Sequence, residues 1–268
     1  MGKVIQYLCG LLVVVFALTS CDKKIDLPLR VGDQRYVLEG NLNAGDTAYF
    51  TLSKSGAFNN PDIEKVIGAE ITLTDEEGNS ENLLDYNEGR YGGTNLHGKE
   101  GETYRVRVKH MGQVFNATAT IPFKVKIDSL TIEDEEFTFP GEEPMKEVAI
   151  HYTDPKDVDN FYRVKVTVNG GDYNSIRLSN DKFYDGKQTE FRVRDLDLIP
   201  GDTIKIKLMS IDEGTHGFFN SLSEIRNQNP GSGVPYNPEN NWDNNGLGNF
   251  SVSSTDSSYI VYQPDINQ

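Results

Sequence analysis

Gly101-Glu102-Thr103-Tyr104-Arg105-Val106-Arg107-Val108 and Gly201-Asp202-Thr203-Ile204-Lys205-Ile206-Lys207-Leu208 decide the fold of this chain. In both, a glycine turn leads into a run where apolar and cationic residues alternate. Side chains alternate across a strand, so Tyr104, Val106 and Val108 share one face and the cations the other. The pattern predicts two long, half-buried β-strands, one in each half of the chain.

The same period-two alternation recurs on either side. Ala48, Phe50 and Leu52 form one apolar face, and Ala69, Ile71 and Leu73 another, before a turn at Asp75-Glu76-Glu77-Gly78-Asn79. A His110-Met111-Gly112-Gln113 turn precedes Phe115, Ala117, Ala119 and Ile121. Ile121-Pro122 closes this pattern, and Phe123 to Ile127 crosses into a second unit. There Tyr162, Val164, Val166 and Val168 alternate with Arg163, Lys165 and Thr167, before an Asn169-Gly170-Gly171-Asp172 turn. Strands of this spacing predict antiparallel sandwiches. The glycine-led strand, preceded in its second copy by Leu198-Ile199-Pro200, resembles the penultimate strand of immunoglobulin- and fibronectin-like domains. The expectation is therefore all-β: two tandem immunoglobulin/fibronectin-like β-sandwich domains, at 35–122 and 123–268.

One short helix is expected in the second domain, near 216–228. Phe218, Leu222 and Ile225 lie at i, i+4 and i+7, and Thr215 is the candidate N-cap. The following segment, 227–250, is rich in Asn, Gly and Pro and holds the single tryptophan. A loop of such length inside a compact domain is commonly functional. Tyr259-Ile260-Val261-Tyr262 is expected to form the last strand.

The N-terminus carries an address. Lys3 is a positive n-region, Ile5 to Leu18 an apolar run, and Leu18-Thr19-Ser20-Cys21 a small-residue approach to a cysteine. The apolar run is shorter than the roughly 20 residues of a spanning helix. Residues 1–20 thus read as a lipoprotein signal peptide, Cys21 as the acylated mature N-terminus, and 21–34 as a tether. Cys9 departs with the signal, so the mature chain has neither a disulfide nor a thiol nucleophile. Loss of Lys3 takes the 26 basic residues to 25 against 41 acidic, moving the net charge from −15 to −16. So acidic a surface repels nucleic acid and anionic headgroups, leaving the lipid as the membrane attachment.

Catalytic patterns are sparse. Neither Gly-x-Ser-x-Gly nor His-Glu-x-x-His occurs, and His97, His110, His151 and His216 are scattered and expected to be solvated. With 41 acids, a spatial carboxylate pair has no specificity. No enzymatic role is expected. Asp154, Asp157 and Asp159 are the candidate calcium ligands, from an oxygen-dense segment that equally suits a plain interstrand turn. Trp242, Tyr236 and Phe250 are the candidate ligand-binding residues, since rings beside amides suit a sugar or peptide. The competing reading is that they pin the loop onto the second sandwich.

Several segments in order resemble one family. They are Val37-Leu38-Glu39-Gly40, Gly68-Ala69-Glu70-Ile71-Thr72-Leu73-Thr74-Asp75, Ile127-Asp128-Ser129-Leu130, Asn160-Phe161-Tyr162-Arg163-Val164 and Asn245-Gly246-Leu247-Gly248-Asn249-Phe250. With the cysteine signal, they resemble domain-of-unknown-function family 4249, envelope lipoproteins of Bacteroidota. The resemblance implies a β-rich exported lipoprotein, at the outer membrane and often encoded beside a TonB-dependent transporter, with no catalytic residue to carry over. It leads one to expect an aromatic where this chain has Asn249. Two roles follow as expectations: an accessory or ligand-binding component of such a transporter, or a structural or adhesive surface lipoprotein.

Overall fold

The apolar strand faces named above line two cores, whereas Phe218, Leu222 and Ile225 of the helix are half-buried and belong to neither. In a computed structural model of the chain, the described residues are 34–56, 63–135, 145–228 and 236–263, with Gly2 and Gly141. Apart from Gly2 and Gln34, the signal peptide, Cys21 and the tether lie outside these, as do residues 229–235 of the Asn-rich loop.

The first half contains β1 (Tyr36–Asn43), β2 (Thr47–Lys54), β3 (Glu70–Thr74), β4 (Ser80–Asn82), β5 (Leu84–Asp85), β6 (Arg90–His97), β7 (Thr103–His110) and β8 (Gln113–Thr120). The second contains β9 (Ile127–Asp134), β10 (Lys146–Thr153), β11 (Phe161–Val168), β12 (Gly171–Asn180), β13 (Gln188–Leu196), β14 (Thr203–Ile211), α1 (Glu213–Asn227) and β15 (Phe250–Val261). The halves repeat one connectivity. The order β4-β3-β7-β8 in the first is matched by β12-β11-β14-β15 in the second, and β6-β2-β1 by β13-β10-β9. Each half therefore sets a four-stranded sheet over a three-stranded one, with β5 extending the edge at β6. The glycine-led strands β7 and β14 occupy equivalent places. Gly101 (φ 82°) and Gly201 (φ 97°) both turn left-handed. Their N–H groups donate to Ile121 O at 2.7 Å and Tyr262 O at 2.8 Å.

The sandwiches share a sheet rather than standing as separate beads. β15 is twelve residues long, enough to pair with two strands in succession. Its start runs parallel to β1, from Gly40↔Phe250 to Asn43↔Ser253. Its remainder is antiparallel to β14, from Ile211↔Ser253 to Thr203↔Val261. The result is one sheet of eight strands, β12-β11-β14-β15-β1-β2-β6-β5.

Two cores lie beneath it. Leu38, Phe50, Ile71, Tyr91, Tyr104 and Val106 centre the first, and Val148, Ile150, Tyr162, Val164, Ile206 and Leu208 the second. Each fully buried side chain of this size contributes ~1.5–3 kcal/mol relative to exposure, so two such cores can hold without disulfides. The hairpin turns explain themselves locally. Met111 (φ 46°) with Gly112 (φ 79°), and Asn169 (φ 50°) with Gly170 (φ 83°), supply the paired positive φ of type I′ turns.

The helix begins three residues earlier than the sequence suggests. Asp212, extended at φ −78°, is the N-cap, and its Oδ1 accepts from the Thr215 N–H at 3.0 Å. Thr215 is instead buried inside the first turn, where its Oγ1 accepts from Val252 N at 3.4 Å. A carboxylate one turn upstream satisfies the same free N–H groups, and the hydroxyl is taken up by β15.

Candidate functional site

The Asn-rich loop leaves α1 and crosses to the first sandwich, not the second. Asp243 and Asn116 of β8 bond reciprocally. Asn116 donates through N and Nδ2 to the Asp243 carboxylate at 2.7 and 2.8 Å, and Asp243 N donates to Asn116 O at 3.0 Å. Leu247 then joins the edge of β1, donating to Tyr36 O and accepting from Leu38 N, both at 2.8 Å. Trp242 drops into the first core. Its Nε1 donates to Leu38 O at 2.8 Å, and its ring stands edge-on to Phe50 at 6.4 Å. Phe250 stacks on the other part of Phe50 at 5.6 Å.

These contacts correct the aromatic site expected from Trp242, Tyr236 and Phe250. A stacking platform needs an open ring face, but Trp242 is 6% and Phe250 0% exposed. Tyr236 alone is exposed, and its hydroxyl donates to Glu224 at 3.2 Å. The loop is pinned, onto the neighbouring sandwich. Gly248 shows why the Gly-Leu-Gly motif is spaced as it is. It sits at φ 87°, and a Cβ there would lie 2.4 Å from Leu38 O. Asn249, where an aromatic was expected, is buried and donates to Ser251 Oγ at 3.0 Å.

The acidic candidate is also rearranged. Asp154 meets Asp181 and Asp185, with carboxylate oxygens within 4.8 Å of one another. Asp159 is exposed and outside this group, and Asp157 joins only through its N–H, donating to Asp185 Oδ1 at 2.9 Å. Asp157 turns left-handed (φ 63°), which aims its backbone rather than its carboxylate inward. The cluster is already supplied with donors. Tyr162 OH and Gly186 N serve Asp154 at 2.5 and 3.1 Å, and Asn160 N serves Asp181 at 2.8 Å. Burial pushes the Asp154 carboxyl up, opposed by those two hydrogen bonds and reinforced by the charges of Asp181 and Asp185. A cation would be held by these three residues, yet calcium prefers six to eight oxygens. Because protein donors occupy the carboxylates, a chelator is expected to leave the melting temperature unchanged. A calcium site at ~100 Kd would instead add ~2.7 kcal/mol, or roughly 5–10 °C.

Among the described residues, no other three His, Cys, Asp or Glu side chains bring their ligand atoms together. Of the histidines, His97 is exposed and the other three are half-buried, departing from the solvated expectation. His110 Nδ1 bonds the Tyr36 hydroxyl at 2.7 Å, and His216 lies against the Phe161 ring at 5.0 Å.

Sequence reading missed a cleft of about 460 Å³ between α1 and the outer face of β11 and β12. Arg163, Lys165 and Arg226 line it together with Tyr173, Ser175 and Phe219. The signal was present as the polar half of the β11 alternation, Arg163 and Lys165, which reads as a solvated face until the helix is placed beside it.

A family model described as Domain of unknown function (DUF4249) matches residues 22–258. No curated protein matches the chain.

Proposed function

We propose the function from the chain's own residues, because it belongs to the DUF4249 family, a domain of unknown function, and a family so described assigns no reaction to inherit. The role is that of a lipid-anchored envelope protein, a non-enzymatic accessory or ligand-binding component beside a TonB-dependent outer-membrane transporter. The observation that carries it is Leu18-Thr19-Ser20-Cys21 behind a short apolar run. The acidic surface supports attachment through acyl chains, each buried CH₂ contributing ~0.8 kcal/mol. Among the described residues, no helix is long and apolar enough to cross a membrane. The cleft beside α1 supports the ligand-binding half of the reading.

Burial of Trp242 and Phe250 favours a second reading, a structural or adhesive lipoprotein without a small-molecule ligand. Crosslinking in the intact envelope, followed by purification of the tagged chain, separates the two. A TonB-dependent transporter is expected among the crosslinked products. Recovery of the chain with no such partner would leave the structural reading standing.

A further inference from the structure

The cleft beside α1 is lined by cations from two elements, Arg163 and Lys165 of β11 and Arg226 of the helix. Ion pairs elsewhere join Lys54, Arg90, Lys99, Lys109, Lys146, Lys156, Arg192 and Arg194 to carboxylates. None of the pairs among the described residues includes Arg163, Lys165, Lys207 or Arg226. Exposed cations such as Lys65, Arg105, Arg107 and Lys205 also form none of these pairs, so the absence carries weight only where the charged group is buried. Lys165 and Lys207 also lie directly opposite each other in the β11–β14 register. Like charges so placed are destabilising.

Arg163 shows the deficit most clearly. Its guanidinium carbon stands 3.7 Å from the Phe219 ring centre, and its buried Nε has no hydrogen-bond partner. An unpaired buried donor is costly, more so when charged. Burial pushes the guanidinium down to about 10, so it remains charged at neutral pH. Lys165 keeps solvent access yet is lowered, first by partial desolvation and then by the charges of Arg163 and Lys207, with Asp172 opposing. Asp172 also lines the cleft, but its Oδ1 accepts from Thr167 Oγ1 at 3.2 Å, and it forms no ion pair within 4.0 Å with Lys165. Phe219, Leu222 and Ile176 give the same cleft an apolar wall.

We propose that this cleft binds an oxyanion, the phosphate or carboxylate group of a small molecule or a lipid headgroup. Arg163 and Lys165 are its charged donors, with Arg226 at the wall contributed by α1. An anion here compensates the Arg163 and Lys165 charges, and the ligand's apolar part lies against Phe219 and Leu222. The inference gives the ligand-binding reading above its ligand class and rests on that reading only for the cleft's role in the cell.

Titration calorimetry on the full chain in neutral detergent tests it, with inorganic phosphate, citrate and dihexanoyl phosphatidylglycerol as probes against chloride at matched ionic strength. At least one probe is expected to bind saturably, with affinity falling at least about tenfold in Lys165→Gln and in Arg163→Gln. Lys165 is exposed, so Lys165→Gln is expected to keep the far-ultraviolet circular dichroism of the parent. Binding of phosphate or citrate points to a soluble ligand, and binding of phosphatidylglycerol alone to a headgroup. No probe above chloride, or binding unchanged in both variants, overturns the proposal and leaves the anchor and transporter reading untouched.

Discussion

Trp242→Ala is expected to destabilise the protein by about 3–5 kcal/mol, the range for deleting a large buried ring. Two losses add. The ring vacates a site shared with Phe50 and Leu38, and neighbours held by β1 and β2 cannot collapse fully into the space. The Leu38 carbonyl loses the indole donor at 2.8 Å and is left buried without it. For a unit of this size, such a loss lowers the melting temperature by roughly 6–20 °C. The single tryptophan is removed by the change, so unfolding is followed by circular dichroism in denaturant. Trp242→Phe, which keeps most of the apolar ring but not the donor, is expected to cost less, about 1–3 kcal/mol. An unchanged denaturation midpoint in Trp242→Ala would return the residue to the surface as a binding group.

Cys21→Ala is expected to act all-or-none on anchoring and not at all on folding. The residue lies outside the described residues and precedes the first strand, β1, and among the described residues both cores are built from Tyr36 onward. Without the thiol there is no acyl acceptor, and the chain keeps residues 1–20 and carries no lipid at a mature N-terminus. Two or three acyl chains supply tens of buried CH₂ groups at ~0.8 kcal/mol each. Their loss therefore removes the anchor rather than weakening it, because a remainder of net negative charge is repelled overall by an anionic surface. Intact mass spectrometry with membrane fractionation reads both outcomes. An acylated mature chain from the mutant would sink the lipoprotein reading. A misfolded one would show that the N-terminal segment contributes to the fold.

The elements were legible because their signals are local. Alternation in Tyr104-Arg105-Val106-Arg107-Val108 declares both faces of a strand without reference to its partner. Asn169-Gly170 likewise names its turn by backbone freedom alone. The Trp242 site failed for the opposite reason. Rings set among asparagines look the same whether a loop is open to ligand or docked on a core, and the docking contacts reach from Trp242 to Leu38, 204 residues away. The acidic cluster failed in the same way. Asp154 was identified, but its neighbours are Asp181 and Asp185 from the β12–β13 connection, not Asp157 and Asp159 beside it in the chain.

Sequence by itself determined the all-β class, the repeated glycine-led strand and the core faces, each written in residues within a few positions of one another. Tertiary structure alone decided that β15 runs from one sandwich into the other, that the Asn-rich loop seals the first core, and that Arg163 and Lys165 line a cleft beside a helix with no ion pair to either among the described residues. Those outcomes depend on pairings between residues tens to hundreds of positions apart. Burial and hydrogen bonding across the folded chain select such pairings, and no local pattern encodes them.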